Sequence, residues 1–176
     1  MSSADKIWRA RASEAVIQSN PVITQAFLEC QRSPDVRKTH LFEGRYENIY
    51  LNEQHIPQLT TLMKEAVAQA EDILSSKNLN TGNLSVGYWF NYMPPGSTTT
   101  SHTHDDDDEL LSGVYYLYVP EDSGNLIINL KDEDIEITPQ AGDFIFFDAD
   151  ARHEVSRNNS ELHRLSIGMN FGIRRS

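Results

Sequence analysis

The chain has 176 residues, 39% of them hydrophobic, which suffices for one domain with a sizeable core and is tight for two. A formal net charge of −11 opposes docking on phosphate backbones or anionic lipid, so neither nucleic acid nor a membrane is an expected partner. No apolar run reaches the roughly 18 residues of a membrane span. The N-terminus lacks the apolar segment of a secretory signal, and the single cysteine, Cys30, has no partner for an internal disulfide, so a cytoplasmic protein is expected.

In chain order, residues 4–31 read as helix, turn, helix, with Val16, Ile17, Ile23, Phe27 and Leu28 as apolar positions and Asn20-Pro21 as the break. Between Thr39 and Leu51, aromatic and β-branched residues around Gly44 predict one or two short strands. From Pro57 to Lys77, Leu59, Leu62, Met63, Val67, Ala70, Ile73 and Leu74 recur at three-four spacing, which predicts a helix with one apolar stripe to lay on a sheet.

After Asn83 the period becomes that of β-structure. Short runs start at Leu84, Ser112, Asn125, Ile135, Asp143, His153 and Leu162, separated by Gly, Pro, Asn and Asp clusters. Helices first and continuous strands after predict an α+β domain, residues 1–176. Residues 1–83 form a helical support region and 84–176 a barrel or jelly roll, with the helices packed on one sheet.

The stretch that carries chemistry is Ser101 to Leu117, in which two histidines and five acids precede an apolar run. If it is extended, His102, His104 and Asp106 share a face, since side chains two apart point the same way. Imidazole and carboxylate are ligands for borderline divalent metals, and a further ligand is expected from His153, which follows the strand-like Asp143 to Phe147. A solvated acid loop with incidental histidines is the bland alternative for the first cluster.

The last run has two unlike faces. Leu165, Ile167, Met169 and Phe171 form an apolar one, suited to packing under the second helix, and Arg164, Ser166 and Gly168 form the other. An arginine directed into a barrel needs an anionic partner, for which a small carboxylate ligand would serve. A hairpin turning at Asn158-Asn159 would set His153 directly opposite Arg164.

These pieces together resemble the 2-oxoglutarate and Fe(II)-dependent oxygenase superfamily, in particular its small prolyl-hydroxylase-like members. The matching residues are Trp89-Phe90-Asn91, His102-Thr103-His104, Leu111 to Leu117, Gly124-Asn125-Leu126, Pro139 to Phe147, His153 and Arg164-Leu165-Ser166. The resemblance implies a double-stranded β-helix, a jelly-roll or cupin-like barrel, with Fe(II) at one end and Arg164 and Ser166 holding the distal carboxylate of 2-oxoglutarate. It implies O2 as the other co-substrate, and oxidative decarboxylation of 2-oxoglutarate to succinate coupled to hydroxylation. The superfamily's usual His-x-Asp pair fits His104 and Asp106, while its closest relatives' His-x-His pair fits His102 and His104. One of the candidates is surplus, and spacing leaves both pairs open. Tyr116 would either hydrogen-bond the co-substrate or sit in the core with a satisfied hydroxyl. Asn91 would face the substrate or close a strand hydrogen bond.

Two rivals stand beside that reading. Gly96, His102, His104 and Glu109 reproduce the first motif of a cupin, although Gly142 lies too far before His153 for the second. A non-catalytic small-ligand barrel holding Ca2+ in the acid loop is the other, and adjacent imidazoles argue against it. The substrate is a small molecule or a protein or peptide, and the acid run Asp105 to Glu109 hints that it is cationic. The oligomeric state is open.

Overall fold

The computed structural model describes residues 6–79, 81–102 and 109–173. The elements begin with strand β1 (Ile7–Arg11), helix α1 (Glu14–Cys30), strands β2 (Arg37–Phe42) and β3 (Arg45–Tyr50), and helix α2 (Leu59–Ser76). Strands β4 (Leu84–Met93), β5 (Thr99–His102), β6 (Glu109–Tyr118) and β7 (Leu126–Asn129) follow. The chain closes with β8 (Asp134–Ile137), β9 (Asp143–Asp148), β10 (Arg152–Val155) and β11 (Arg164–Ile173).

The strands form two antiparallel sheets, a seven-stranded one in the order β1-β9-β6-β11-β4-β3-β2 and a four-stranded one in the order β5-β10-β7-β8. Alternation along the central strands explains why the large sheet is covered on both faces. Phe144 and Phe146 of β9 join Leu111, Tyr115 and Leu117 of β6 in the core shared with both helices. Ile145 and Phe147 join Tyr116, Leu126 and Ile128 in a second core reaching the small sheet. The apolar face of β11 (Leu165, Ile167, Met169, Phe171) lies in the helix-side core, as its sequence implied.

The α2 helix forms as its periodicity predicts and buries Leu59, Leu62, Met63, Ala66, Ala70 and Leu74, although its first turn begins past Pro57. The predicted strands around Gly44 are β2 and β3, joined by a two-residue turn at Glu43 and Gly44, both at positive φ (48° and 81°).

Two expectations are corrected. Residues 7–11 are a strand and not helix, because Ile7 to Arg11 complete the edge of the large sheet against β9, where Arg9 and Arg11 both reach Asp143 (2.8 and 3.1 Å). The helix then starts at its Ser13 cap and runs unbroken through Pro21. Proline there forfeits one backbone hydrogen bond. Packing of Val16, Ile23 and Phe27, and a 2.7 Å hydrogen bond from the Tyr115 hydroxyl to buried Asn20, hold the helix across the defect.

The second correction concerns β10 and β11. They do not form a hairpin: β10 pairs with β5 and β7 in the small sheet, and β11 pairs with β4 and β6 in the large one. The segment around Asn158 crosses between sheets, tied by Asn158 Nδ2 to the carbonyls of Met93 (3.0 Å) and Leu162 (2.9 Å).

Candidate active site between the two sheets

The register of the large sheet lays out one wall of the site. Asn91 of β4, Ser166 of β11 and Tyr116 of β6 stand in a row across three adjacent strands, flanked by the Met93–Arg164 pair. Period-two alternation sends these side chains away from the helices and toward the small sheet, where His153 stands on β10. Asn91, Tyr116, His153, Arg164 and Ser166 all line one cavity of about 50 Å³. His153 and Arg164 thus line the cavity from facing sheets, and do not stand side by side in one.

Arg164 is 1% exposed. Its guanidinium carbon stands 5.4 Å from the centre of the Tyr116 ring, and one terminal nitrogen lies 3.3 Å from Met93 Sδ. Among the described residues it has no carboxylate partner, and its Nε makes no hydrogen bond. Burial therefore pulls its pKa below the ordinary arginine value, with Tyr116 offsetting part of the effect. The Tyr116 hydroxyl is fully buried and also lacks a hydrogen bond of ordinary geometry. Burial pushes this phenol up, with Arg164 the leading opposing influence.

A sealed cation and a sealed hydroxyl without a well-formed hydrogen bond, facing one cavity, are costly unless something anionic completes them. A small carboxylate fits that requirement, so the residues present suit 2-oxoglutarate. Ser166, 4% exposed, adds a hydroxyl on the same wall.

His153 is 8% exposed and packs edge-on against Phe147, ring centres 4.7 Å apart. Its Nδ1 is 3.1 Å from the Ala151 carbonyl. With Nδ1 as donor, Nε2 carries the lone pair, which is the tautomer that a metal-ligating histidine needs. The backbone of His102 is directly paired with that of His153 across β5 and β10. The His102 side chain, His104 and Asp106 lie outside what the structure describes.

Asn91 does close a hydrogen-bond network: its Nδ2 donates to Thr99 Oγ1 (2.9 Å) and its Oδ1 accepts from Arg45 (3.1 Å). Glu47, Trp89 and Gly168 complete the wall. A Cβ on Gly168 would come within 2.5 Å of the Trp89 ring, so the indole lies directly over this glycine. Sequence reasoning missed Arg45 and Glu47. The available signal was the alternation Arg45-x-Glu47-x-Ile49, in which two opposite charges occupy the phase of a buried isoleucine.

The sequence pattern of the family described as "Putative 2OG-Fe(II) oxygenase" matches residues 87–170, from β4 to β11. No curated protein matches the sequence significantly. Among solved structures, a prolyl-4-hydroxylase from Pseudomonas putida is similar at TM-score 0.70 and 18% identity, covering 97% of this chain and 93% of its own. SnoK, a non-heme alpha-ketoglutarate-dependent carbocyclase from nogalamycin biosynthesis, aligns at TM-score 0.72 and 14% identity, over 97% and 81% of the two chains. A prolyl hydroxylase from Trichoplax adhaerens, solved with a hypoxia-inducible-factor peptide fragment, aligns at TM-score 0.67 and 15% identity, over 96% and 84%. At such identities the structural likeness establishes the fold. The match over 87–170 covers just under half of the chain and makes that stretch similar to the 2OG-Fe(II) oxygenase family, which implies Fe(II), 2-oxoglutarate and O2.

Proposed function

We propose that the protein is an Fe(II)- and 2-oxoglutarate-dependent dioxygenase that hydroxylates a small molecule or a peptide, working as a single cytoplasmic domain whose two sheets close as a double-stranded β-helix. The observation that carries this reading is Arg164, a buried guanidinium with no carboxylate partner among the described residues, beside the buried Tyr116 hydroxyl in the cavity that His153 also lines. A cupin has no use for that arrangement.

In this reading Arg164 binds the distal carboxylate of 2-oxoglutarate, Ser166 and Tyr116 donate hydroxyl hydrogens to it, and Phe147 and Leu126 keep water away. His153 supplies Nε2 to the metal. His102, paired with it in register, supplies a second imidazole, and His104 or Asp106 the third donor. Bound Fe(II) supplies the oxygen chemistry, in which 2-oxoglutarate is decarboxylated to succinate while one atom of O2 enters a C–H bond. The protein's share is seating the diacid, orienting the substrate and excluding bulk solvent.

Structural neighbours include a carbocyclase and an epimerase as well as hydroxylases, so fold alone leaves the outcome at the substrate carbon open. Support for hydroxylation comes from the prolyl-hydroxylase-like pieces of sequence between Trp89 and Ser166. The test is calorimetric titration of 2-oxoglutarate into the protein loaded with Mn(II). Binding that requires the metal and is lost in Arg164→Ala supports the proposal. Metal-independent binding, or binding unaffected by Arg164→Ala, contradicts it.

A further inference from the structure

Strand β5 is four residues long and lies at the edge of the small sheet, with only His102 and Thr99 in register with β10 and an irregularity between them. A strand so short and so sparsely paired does not hold its position by ladder bonds alone. Its other edge is met by side chains from the large sheet. Arg45 and Glu47, two apart on β3 and therefore on one face, reach it together.

Arg45 donates to the Thr98 carbonyl (2.7 Å) and to Thr99 Oγ1 (3.1 Å), with its other terminal nitrogen on Asn91 Oδ1 (3.1 Å) and the Tyr92 carbonyl (3.0 Å). Glu47, 4% exposed, accepts from the Thr100 N–H (3.3 Å) and hydroxyl (2.8 Å). The carbonyl of residue 98 and the N–H of residue 100 are the groups that a neighbouring strand would bond along one edge. A cationic donor meets the carbonyl and an anionic acceptor meets the N–H, so the two side chains stand in for that missing strand.

We infer that Arg45 and Glu47 are positioning residues that clasp β5 to the large sheet and thereby fix where His102 presents itself to a metal opposite His153. The inference rests on the metal site proposed above and adds to it two residues outside the ligand set. Asn91 extends the clasp to the diacid seat, because it bonds both Arg45 and Thr99 and stands in register with Ser166. The hairpin β2–β3 is then part of the machinery that assembles the metal site.

The experiment is titration of the full-length protein with Co(II), followed by its visible absorption, in the parent and in Glu47→Ala, Arg45→Ala, Glu47→Gln and Thr100→Val, with thermal melting recorded for each. Loss of a hydrogen bond from a charged group predicts about a ten-fold weaker Co(II) affinity in Glu47→Ala and Arg45→Ala. Glu47→Gln, which keeps an acceptor, is expected to recover most of the loss. Thr100→Val removes only the hydroxyl, so it folds where Arg45→Ala fails, and is expected to weaken Co(II) by about three-fold and to speed amide exchange in β5. A fall in melting temperature with unchanged Co(II) affinity overturns the clasp and leaves the metal site standing, as does parental affinity and parental exchange in Thr100→Val. No Co(II) binding in the parent overturns both.

Discussion

The guanidinium carbon of Arg164 stands 5.4 Å from the centre of the Tyr116 ring, and the two side chains are 1% and 0% exposed. They belong to adjacent strands of the large sheet, and both keep a polar atom without a hydrogen bond. Among the described residues no carboxylate balances this cation, a cost to folding that function must justify.

Replacing that cation should therefore separate stability from binding. Arg164→Met keeps the length of the side chain and removes the buried charge. We expect it to raise unfolding stability by about 1 kcal/mol or more, measured in urea, because no carboxylate among the described residues is left unpaired by the change. The same variant is expected to bind 2-oxoglutarate about 100-fold more weakly, since one partner of a desolvated charge pair is gone.

Tyr116→Phe follows the same logic on a smaller scale. The phenol oxygen makes no hydrogen bond of ordinary geometry in the free protein, so stability should stay level or nearly so in urea melts. Affinity for 2-oxoglutarate should fall about ten-fold. Because burial pushes this phenol up, its contribution should stay constant across the neutral range, and binding isotherms from pH 6 to 9 would show a tyrosine step if that were not so.

Gly168→Ala probes the opposite end of the wall. The added methyl would meet the Trp89 ring at 2.5 Å, and the indole must move for it to fit. A loss of about 1–3 kcal/mol is expected from overpacking. The emission of Trp89, read in a Trp8→Phe background, should shift with the displacement. Unchanged stability and emission would mean that the indole does not cover this glycine in solution.

His163 gives a pH dependence of defined sign. It lies between the Tyr92 and Tyr118 rings, centres 5.2 and 4.9 Å away, and burial lowers its pKa from 6.5. The unfolded chain therefore takes up this proton first as pH falls. Stability from neutral His163 is complete above pH 6.5 and is lost as pH drops through the lower folded value. His163→Phe should flatten that part of the stability profile in urea melts between pH 7 and 5. A profile as steep as the parent's would assign the slope to other groups.

The strands were legible because alternation survives in sequence: Leu165, Ile167, Met169 and Phe171 against Arg164, Ser166 and Gly168 define the two faces that the structure uses. The α2 stripe was legible for the same reason. Residues 7–11 misled because Trp8-Arg9-Ala10-Arg11 is compatible with a helix, and only the open edge of β9 makes it a strand. Pro21 misled because a local rule was overridden by packing around Asn20 and Phe27. The hairpin expected to set His153 opposite Arg164 does not form, since their strands belong to facing sheets and turn residues at Asn158-Asn159 do not reveal that the chain changes sheet there. The clasp from Arg45 and Glu47 joins residues about fifty positions apart, a distance over which no periodicity carries information.

The most direct measurement is an anaerobic titration of the protein with Fe(II) and 2-oxoglutarate, watching for the visible metal-to-ligand charge-transfer band that a chelated 2-oxo acid produces. The band is expected in the parent, absent in His153→Ala, and shifted to far higher 2-oxoglutarate concentration in Arg164→Ala. Its absence from the parent at saturating Fe(II) and 2-oxoglutarate, or its survival unchanged in both variants, would contradict the assignment of this cavity as the oxygenase site.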